Sequence, residues 1–287
     1  MASSDITRIL TYNKISPKGL EKFPSSSYKV AQNLQEPNAI LLRSHKLTDS
    51  DIPGSVIAIA RAGAGVNNIP VEWCTTQGIP VFNTPGANAN AVKELVAAGL
   101  LLGARGIVEG TIFAGTLSDI ENRAIFEQKL EENKLRFKGE ELVGKTLGVV
   151  GLGAIGSLVA EMALTFGMNV IGYDPAISVE AAWRLSSKVK RSNKIASLIA
   201  SSDYLTLHLP AVEATHHIIN RELLSHCKKG TCLLNFARSE IVDPGAIKTA
   251  LESGVVRKYI SDFPEPELLK RSDAIFFPHI GASTIEA

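Results

Sequence analysis

The sequence predicts an α/β fold with two lobes, each organised around a parallel β-sheet. Short apolar runs that suit buried strands alternate with helical patterns along nearly the whole chain. A long apolar segment, 89–104, interrupts this alternation and separates residues 1–88 from the rest. Glycines in G-x-G-x-x-G spacing follow one of these runs, at 151–156. We therefore expect one lobe with a glycine-rich turn between strand and helix, and one lobe without it.

The first lobe, residues 1–88, is predicted as a small α/β unit. Its candidate strands lie at 8–12, 39–42, 56–60 and 81–82, and a helix at 70–76 begins at a proline. Helices between strands favour a parallel sheet.

The second lobe, residues 89–282, begins with the apolar helix 89–104, which we expect to be buried and to lead over from the first lobe. A more polar helix is predicted at 120–134. Further strands are predicted at 147–150, 169–173, 204–208, 231–236, 258–261 and 274–277. Helices are predicted between them at 154–166, 195–201, 221–226 and 244–252, the last with Asp243 as N-cap and Gly254 at its end.

The segment 146–174 carries the pattern of a dinucleotide-binding unit. Gly151 allows the tight turn after the strand, Gly153 lets the backbone approach a pyrophosphate, and Gly156 lets the helix pack closely on the strand. The N-terminus of the helix offers unpaired N–H groups to the phosphates. Asp174 ends the next strand, where a carboxylate can accept from a ribose hydroxyl. Because this acid would repel a 2′-phosphate and Pro175 follows it without an adjacent arginine, NAD is favoured over NADP. Residues 1–88 are then the expected substrate-binding domain.

Composition excludes several classes of protein. The chain has 287 residues, of which 45% are hydrophobic and 21% charged, and its net charge is +1. This balance gives no general attraction to nucleic acid or to an anionic membrane. The three cysteines show no metal or disulfide spacing, and we predict no metal site. The longest uncharged apolar run, 95–104, is too short to span a bilayer, and the N-terminus has no apolar signal core, so a cytoplasmic protein is expected.

Three residue types suited to hydroxy-acid chemistry follow strands in the second lobe. His279 can exchange a proton near neutral pH, and Arg238 can bind a carboxylate through its planar fork. Glu265 and Glu267 both follow the strand 258–261, and either can orient the histidine. Because ligands of open α/β sheets bind at the carboxyl ends of strands, we expect these side chains to form a catalytic set.

The chain resembles the D-isomer-specific 2-hydroxyacid dehydrogenases, and within them the phosphoglycerate dehydrogenases. The matching stretches cover nearly the whole chain: ILLRS (40–44), RAGAGVNNI (61–69), VFNTPGANANAVKEL (81–95), GLGAIG (151–156), GYDP (172–175), LHLP (207–210), NFARSEIVD (235–243), SDFPEPELL (261–269) and PHIGAST (278–284). The resemblance implies two Rossmann-like or flavodoxin-like lobes with NAD in the second. It also implies NAD-linked oxidation of 3-phospho-D-glycerate to 3-phosphohydroxypyruvate, the entry to serine biosynthesis.

The resemblance also assigns roles to individual residues. The family's catalytic arginine and histidine fall on Arg238 and His279. The family's interval of 29 residues after the arginine places the glutamate at Glu267, whereas its Glu-Pro pairing points to Glu265; we favour Glu267. The expected substrate-binding residues are Arg43, Ser44, Arg61, Ala64, Gly65 and Asn83, with the Arg43 guanidinium on the phosphate and the Ala64 and Gly65 amides on the carboxylate. The expected cofactor-binding residues are Gly151, Gly153, Ala154, Ile155, Gly156, Tyr173, Asp174, Pro175, His208, Pro210, Thr215, Ala237, Arg238, Asp262, His279 and Gly281.

The sequence departs from the family pattern at three places. Asn67 stands where the family often has aspartate, and Ser239-Glu240 replaces a Gly-Gly pair, which brings a carboxylate close to Arg238. The segment that usually returns to the first lobe after about residue 283 is missing, so the chain is expected to be a trimmed catalytic core. The resemblance further implies a homodimer.

Two alternative functions stay open. One is a sister activity on an unphosphorylated acid, as in glyoxylate/hydroxypyruvate reductase or D-lactate dehydrogenase. The other is an NAD-sensing binding protein of the corepressor kind, which can keep the catalytic set. Arg43 favours a phosphorylated substrate over the first of these, because an unphosphorylated acid needs no cation there.

Overall fold

The computed structural model describes residues 6–285 and divides between Asn88 and Ala89 into two compact units. The first unit is a five-stranded parallel sheet in the order β2-β1-β3-β4-β5. Its elements are β1 (Thr7–Thr11), α1 (Pro17–Leu20), β2 (Tyr28–Ala31), β3 (Ala39–Leu42), β4 (Ala58–Arg61), α2 (Val71–Thr76) and β5 (Val81–Phe82). Leu42, Ile59 and Cys74 are fully buried between sheet and helix.

The second unit is a seven-stranded parallel sheet in the order β12-β11-β10-β9-β6-β7-β8. Its helices are α3 (Ala89–Ala104), α4 (Ile107–Gly115), α5 (Arg123–Asn133), α6 (Ala154–Thr165), α7 (Val179–Arg184), α8 (Ile195–Ser201), α9 (Arg221–Leu224) and α10 (Pro244–Glu252). Its strands are β6 (Thr146–Val150), β7 (Asn169–Tyr173), β8 (Lys190–Arg191), β9 (Tyr204–Leu207), β10 (Thr231–Asn235), β11 (Val256–Ser261) and β12 (Ala274–Phe276). The predicted α/β class with two parallel sheets is therefore confirmed.

The core of the second unit lies on both faces of its sheet. On one face α3 and α6 pack against each other and against the central strands. Gly99 and Gly103 permit this contact, because a Cβ at Gly103 would lie 2.7 Å from the Cys232 sulfur. On the other face α8 packs on β6 and β7, α10 packs on β11, and α9 packs against both of these helices. This burial on both faces explains why the strands read as continuous apolar runs.

Some local predictions were wrong. The helix expected at 120–134 is shorter, Arg123–Asn133, because the Asn122 side chain caps it by accepting from the Ala124 and Ile125 amides. α1, β2, α4, α7 and β8 were not predicted. All of them except α4 have six residues or fewer, and α4 contains two glycines and buries no side chain, so none carries a clear apolar periodicity. Helix α3 is buried on one face only, since Leu101 is 44% exposed.

No single helix among residues 6–285 is long and apolar enough to cross a bilayer. Helices α3 and α4 reach that length and composition only as a pair, with a 72° bend between them. Eight residues of α3 are buried within the second unit, which suits the core helix of a folded domain.

Candidate active site

The glycine-rich turn between β6 and α6 has the shape that a dinucleotide phosphate requires. Gly151 has φ of +92°, and a Cβ there would lie 2.6 Å from the His208 carbonyl oxygen. A Cβ at Gly156 would lie 1.9 Å from the Gly151 carbonyl oxygen, so only glycine fits. Helix α6 starts after Gly153 without a side-chain cap, which leaves its first N–H groups and its positive dipole end for an anion.

Asp174 closes this turn from the end of β7. One carboxylate oxygen accepts from the Leu152 amide at 2.8 Å and the other from the Ala176 amide at 2.9 Å. Each oxygen keeps a second lone pair, so the carboxylate can still accept from a ribose hydroxyl. The acid thus orders the glycine loop and keeps acceptor capacity for a further donor.

His208 lies at the end of β9, beside the glycine turn. Its Nε2 is 2.9 Å from the Thr206 hydroxyl, and its Nδ1 is buried without a partner among residues 6–285. Burial lowers the pKa of His208 to about 3, so the imidazole is neutral at physiological pH. The Thr215 hydroxyl donates to the Pro210 carbonyl oxygen at 2.5 Å, and this bond joins the two ends of the loop 210–215.

Arg238 is placed by Asn235, a residue for which no role was predicted. Asn235 is fully buried at the end of β10; its amide nitrogen donates to the Arg238 carbonyl oxygen at 2.8 Å, and its amide oxygen accepts from the Ala237 N–H at 3.2 Å. The half-buried Arg238 guanidinium donates to the Ala237 carbonyl oxygen at 2.6 Å. A polar residue closing the apolar strand TCLLN was the signal available in the sequence.

His279 lies on a turn that Asp262 holds. The His279 N–H donates to the Asp262 carbonyl oxygen at 3.0 Å, and the Asp262 carboxylate accepts from the Ile280 and Gly281 amides at 2.8 and 2.7 Å. His279 has φ of +55°, a left-handed conformation that is uncommon for a non-glycine residue and that often marks a functional site. Its exposed ring lies 5.0 Å from the Phe263 ring, centre to centre.

The structure does not bring Glu267 to His279, as the preferred assignment requires. The Glu267 side chain is 75% exposed, and its carboxylate accepts from Lys248 Nζ at 2.8 Å. The hydrogen bond from Lys248 lowers the pKa of Glu267. Glu265 is less exposed, and burial raises the pKa of its carboxyl group. Neither carboxylate is hydrogen-bonded to His279, and Glu265 is the one that Lys248 leaves unengaged.

The unusual pair Ser239-Glu240 follows Arg238 in a 3₁₀ turn. The Ser239 hydroxyl donates to the Glu240 carboxylate at 2.8 Å. Hydrogen bonds from its own backbone and from Ser239, with the charges of Arg238 and His216, lower the pKa of Glu240. The carboxylate is therefore ionised close to the arginine.

Strand order places these residues at the same end of the sheet. In a parallel sheet all carboxyl ends lie at the same edge, and β12, β11 and β10 are neighbours. His279, Asp262 and Arg238 therefore follow three adjacent strands, and the glycine turn follows β6, with β9 between.

The predicted substrate-binding residues lie at or just after the ends of three adjacent strands of the first unit, β3, β4 and β5. Arg61 Nε donates to the Arg43 carbonyl oxygen at 2.9 Å, and Arg61 Nη1 donates to the Gly65 carbonyl oxygen. Asn83 donates to the Ala64 carbonyl oxygen at 2.6 Å, and the Ser44 amide donates to Asn13 Oδ1 at 3.0 Å. Arg61 and Asn83 thus bind backbone of the neighbouring loops.

Among residues 6–285, no group of three or more histidine, cysteine, aspartate or glutamate side chains could hold a metal ion.

Comparison with known proteins identifies the second unit. A family model described as the NAD binding domain of D-isomer specific 2-hydroxyacid dehydrogenase matches residues 116–281, more than half of the chain. The residues of the turn fit this cofactor: the glycines leave room for a pyrophosphate, and Asp174 keeps lone pairs for the ribose.

The similar proteins are named for several different activities. A D-3-phosphoglycerate dehydrogenase of Methanocaldococcus jannaschii is 37% identical over 90% of this chain and 48% of its own length. The hydroxypyruvate reductase of Thermotoga maritima is 37% identical over 88% of this chain and 81% of its own length. A crystal structure of a glyoxylate reductase from Paecilomyes thermophila superposes with a TM-score of 0.79, 27% identity and coverage of 98% and 90%. The chain thus spans about half the length of the first of these relatives.

Proposed function

This chain belongs to the D-isomer-specific 2-hydroxyacid dehydrogenases, which use NAD, and we propose that it oxidises 3-phospho-D-glycerate to 3-phosphohydroxypyruvate. The observation that carries the proposal is the set of His279, Asp262 and Arg238 on adjacent strand ends beside the glycine turn of the cofactor. The phosphoglycerate dehydrogenase relative supports the substrate. Residues 1–88 are proposed to bind the acid and residues 89–282 the cofactor.

In the proposed mechanism each residue has one task. Arg238 binds the substrate carboxylate and the C2 oxygen, because its fork supplies two parallel donors and keeps its charge. NAD, when bound, supplies the hydride acceptor. His279 accepts the proton of the C2 hydroxyl and returns it in the reverse direction. A carboxylate next to the imidazole stabilises the imidazolium, and we assign this task to Glu265 rather than Glu267, because Lys248 already pairs with Glu267.

The first unit is proposed to hold the two anionic ends of the substrate. Arg43 would bind the phosphate, and the amides of Ala64 and Gly65 would bind the carboxylate. The hydrogen bond from Asn83 to the Ala64 carbonyl oxygen supports this role for Gly65. The Ala64 carbonyl group and the Gly65 N–H belong to one trans peptide group, so fixing the oxygen on one side directs the N–H to the opposite side.

The same chemistry on an unphosphorylated acid is the second candidate function. The hydroxypyruvate reductase and glyoxylate reductase matches favour it. Glu240 also favours it, since an ionised carboxylate close to Arg238 weakens the binding of a more highly charged acid.

Rates of NADH oxidation with 3-phosphohydroxypyruvate, hydroxypyruvate, glyoxylate and pyruvate separate these functions. We expect a preference for the phosphorylated acid that Arg43→Ala removes and the exposed-lysine control Lys22→Ala retains. A preference for an unphosphorylated acid in the parent chain would instead support the sister activity. Tight NADH binding without turnover of any acid would support an NAD-sensing protein and contradict both enzymatic proposals.

A cytoplasmic homodimer completes the proposal. Helices α4 and α5 bury none of their side chains and expose Ile112 and Ile125, which suits a contact with a second copy. The three cysteines are unpaired, as expected in a reducing compartment. Sedimentation velocity that finds a monomer at micromolar concentration would contradict the dimer.

A further inference from the structure

The guanidinium group of Arg61 bonds to the backbone of two loops of the first unit. We propose that Arg61 and Asn68 form a positioning pair. The pair sets the spacing between the Arg43 loop (residues 43–46) and the Gly65 loop (residues 64–66), and thereby the length of acid that the unit accepts. This inference rests on the proposed function, in which Arg43 and the Gly65 amide hold the two ends of the substrate.

Arg61 is the last residue of β4, and β3 is its neighbour in the sheet. Its Nε donates to the carbonyl oxygen of Arg43, after β3, at 2.9 Å, and its Nη1 donates to that of Gly65, after β4. A guanidinium is planar, and the angle between its donors does not change. The two carbonyl groups are therefore held at a fixed separation.

Asn68 provides the second constraint on the same carbonyl group. Its side-chain nitrogen donates to the Arg43 carbonyl oxygen at 3.2 Å and to the His45 carbonyl oxygen at 2.7 Å. The Arg43 oxygen therefore accepts from two side chains, one for each of its lone pairs. Both N–H donors of the Asn68 amide are thus engaged by backbone carbonyl groups, so we expect its effect on an anionic substrate to come through the loop that it holds.

The other side of the Arg43 loop is held as well. Asn13 Oδ1 accepts from the Ser44 and His45 amides at 3.0 and 2.6 Å. The Arg43 carbonyl and the Ser44 N–H belong to one planar peptide group, which is thus held at both ends. The His45 ring also stacks on Tyr12 at 4.1 Å between ring centres. The position of the Arg43 Cα is consequently set by Arg61 and Asn68 on one side and by Asn13 on the other.

A positioning role and a direct contact with the substrate predict different results. If Arg61 positions the loop, losing its fork relaxes the spacing and reduces discrimination between acids of different length. The uncharged variant Asn68→Ala should then have the same effect. If Arg61 instead contacts the phosphate, the effect follows its charge, and Asn68→Ala should be silent.

The test compares Arg61→Lys, Arg61→Gln, Asn68→Ala and the double variant Arg61→Lys/Asn68→Ala. Asn67→Ala is the matched control, because Asn67 is the exposed neighbour of Asn68. KM and kcat are measured for 3-phosphohydroxypyruvate and hydroxypyruvate at several ionic strengths. Amide hydrogen exchange is followed for residues 43–46 and 64–66 in the same proteins, and exchange of the β-strands shows that each variant is folded.

We expect Arg61→Lys and Asn68→Ala each to raise KM for the phosphorylated acid about tenfold, because each variant removes one of the bonds that position the loop. The value of kcat should change less than about twofold. KM for hydroxypyruvate should change less, exchange of both loops should accelerate, and the salt dependence of KM should stay as in the parent chain. The double variant should lose less than the product of the single losses, because both donors act on one carbonyl group.

The opposite pattern overturns the proposal. In that pattern Asn68→Ala leaves KM unchanged, Arg61→Lys also preserves KM, and Arg61→Gln raises KM and weakens its salt dependence. Arg61 would then be a direct contact of the anionic substrate. Unchanged exchange in all variants would show that the loops need neither residue. If the parent chain reduces no acid, the proposed function fails. Accelerated amide exchange in Arg61→Lys and Asn68→Ala would still show that these two residues hold the loops in place.

Discussion

Asp262 determines the position of His279. The Asp262 carbonyl oxygen accepts from the His279 N–H at 3.0 Å, and the Asp262 carboxylate accepts from the two amides that follow. Asp262 is 1% exposed, so these bonds are protected from water. They hold His279 in its left-handed conformation, which an unconstrained histidine would rarely adopt. A residue expected to touch the cofactor therefore also orients the proposed acid–base group.

Asp262→Asn should lower kcat strongly. The asparagine can accept through one oxygen only, and its NH₂ group would face one of the amides that the carboxylate now binds. A displacement of the histidine of about 1 Å costs on the order of 10²-fold in rate. Steady-state kinetics check this, with Asp273→Asn as control, because Asp273 pairs with Arg271 at the start of β12. An Asp262→Asn variant with parental kcat would show that the turn does not need the carboxylate.

His279→Ala should lower kcat by about 10²–10⁴-fold, the usual contribution of a general acid or base. NADH affinity, measured by fluorescence titration, should stay close to that of the parent chain. His226→Ala is the control, since His226 is exposed. An equal loss of turnover and NADH affinity would identify His279 as a structural residue.

The two glutamates should respond differently to conversion to glutamine. Glu267→Gln breaks an exposed ion pair with Lys248, so we expect a change in kcat below about twofold and little change in the free energy of unfolding. Glu265→Gln removes the carboxylate that we propose to stabilise the imidazolium form of His279, so kcat should fall well below that of the parent chain.

Steady-state kinetics of both variants check this assignment. A loss of kcat in Glu267→Gln with a parental kcat in Glu265→Gln would return the role to Glu267.

Asp174→Ala should weaken NADH binding about tenfold or more. It removes the acceptor of the Leu152 amide as well as the expected ribose contact. Discrimination against NADPH should also decrease, because the negative charge that repels a 2′-phosphate is gone. Fluorescence titration with both nucleotides measures this, and Glu161→Ala, on the exposed side of α6, is the control. Parental affinities in Asp174→Ala would place the ribose elsewhere.

His208 should make stability depend on pH in mildly acidic solution. Burial lowers the pKa of His208 from 6.5 to about 3 in the folded state, so the unfolded chain binds the proton first as pH falls. The stabilising effect of the neutral imidazole is complete above pH 6.5 and decreases as pH falls toward 3.

Between pH 7 and pH 5 the parent chain should therefore lose about 2 kcal/mol more than His208→Gln. Urea denaturation at both pH values measures the difference. His226→Gln should behave as the parent chain, and an equal pH dependence in His208→Gln would show that the histidine is solvated.

Much of the fold is predictable because it depends on local patterns. The limits of α3, β7, α8 and α10 agree with those predicted, and the Asp243 side chain caps α10 by accepting from the Ala246 amide. The glycines at 151 and 156 were expected from spacing, and the structure supplies the steric reason. Helix α4 was missed, because its sequence has two glycines and no buried side chain.

The sequence by itself determined the two parallel sheets, the NAD turn and the strand ends on which Arg238 and His279 lie, because these follow from apolar runs, glycine spacing and residue type. Only the tertiary structure decided which side chains meet. Lys248 reaches Glu267 from α10, Arg61 reaches the carbonyl of Arg43 from the next strand, and Asn235 and Asp262 bind loops that carry other residues. Such pairings depend on the direction of each side chain in the packed fold, and spacing along the chain does not contain that information.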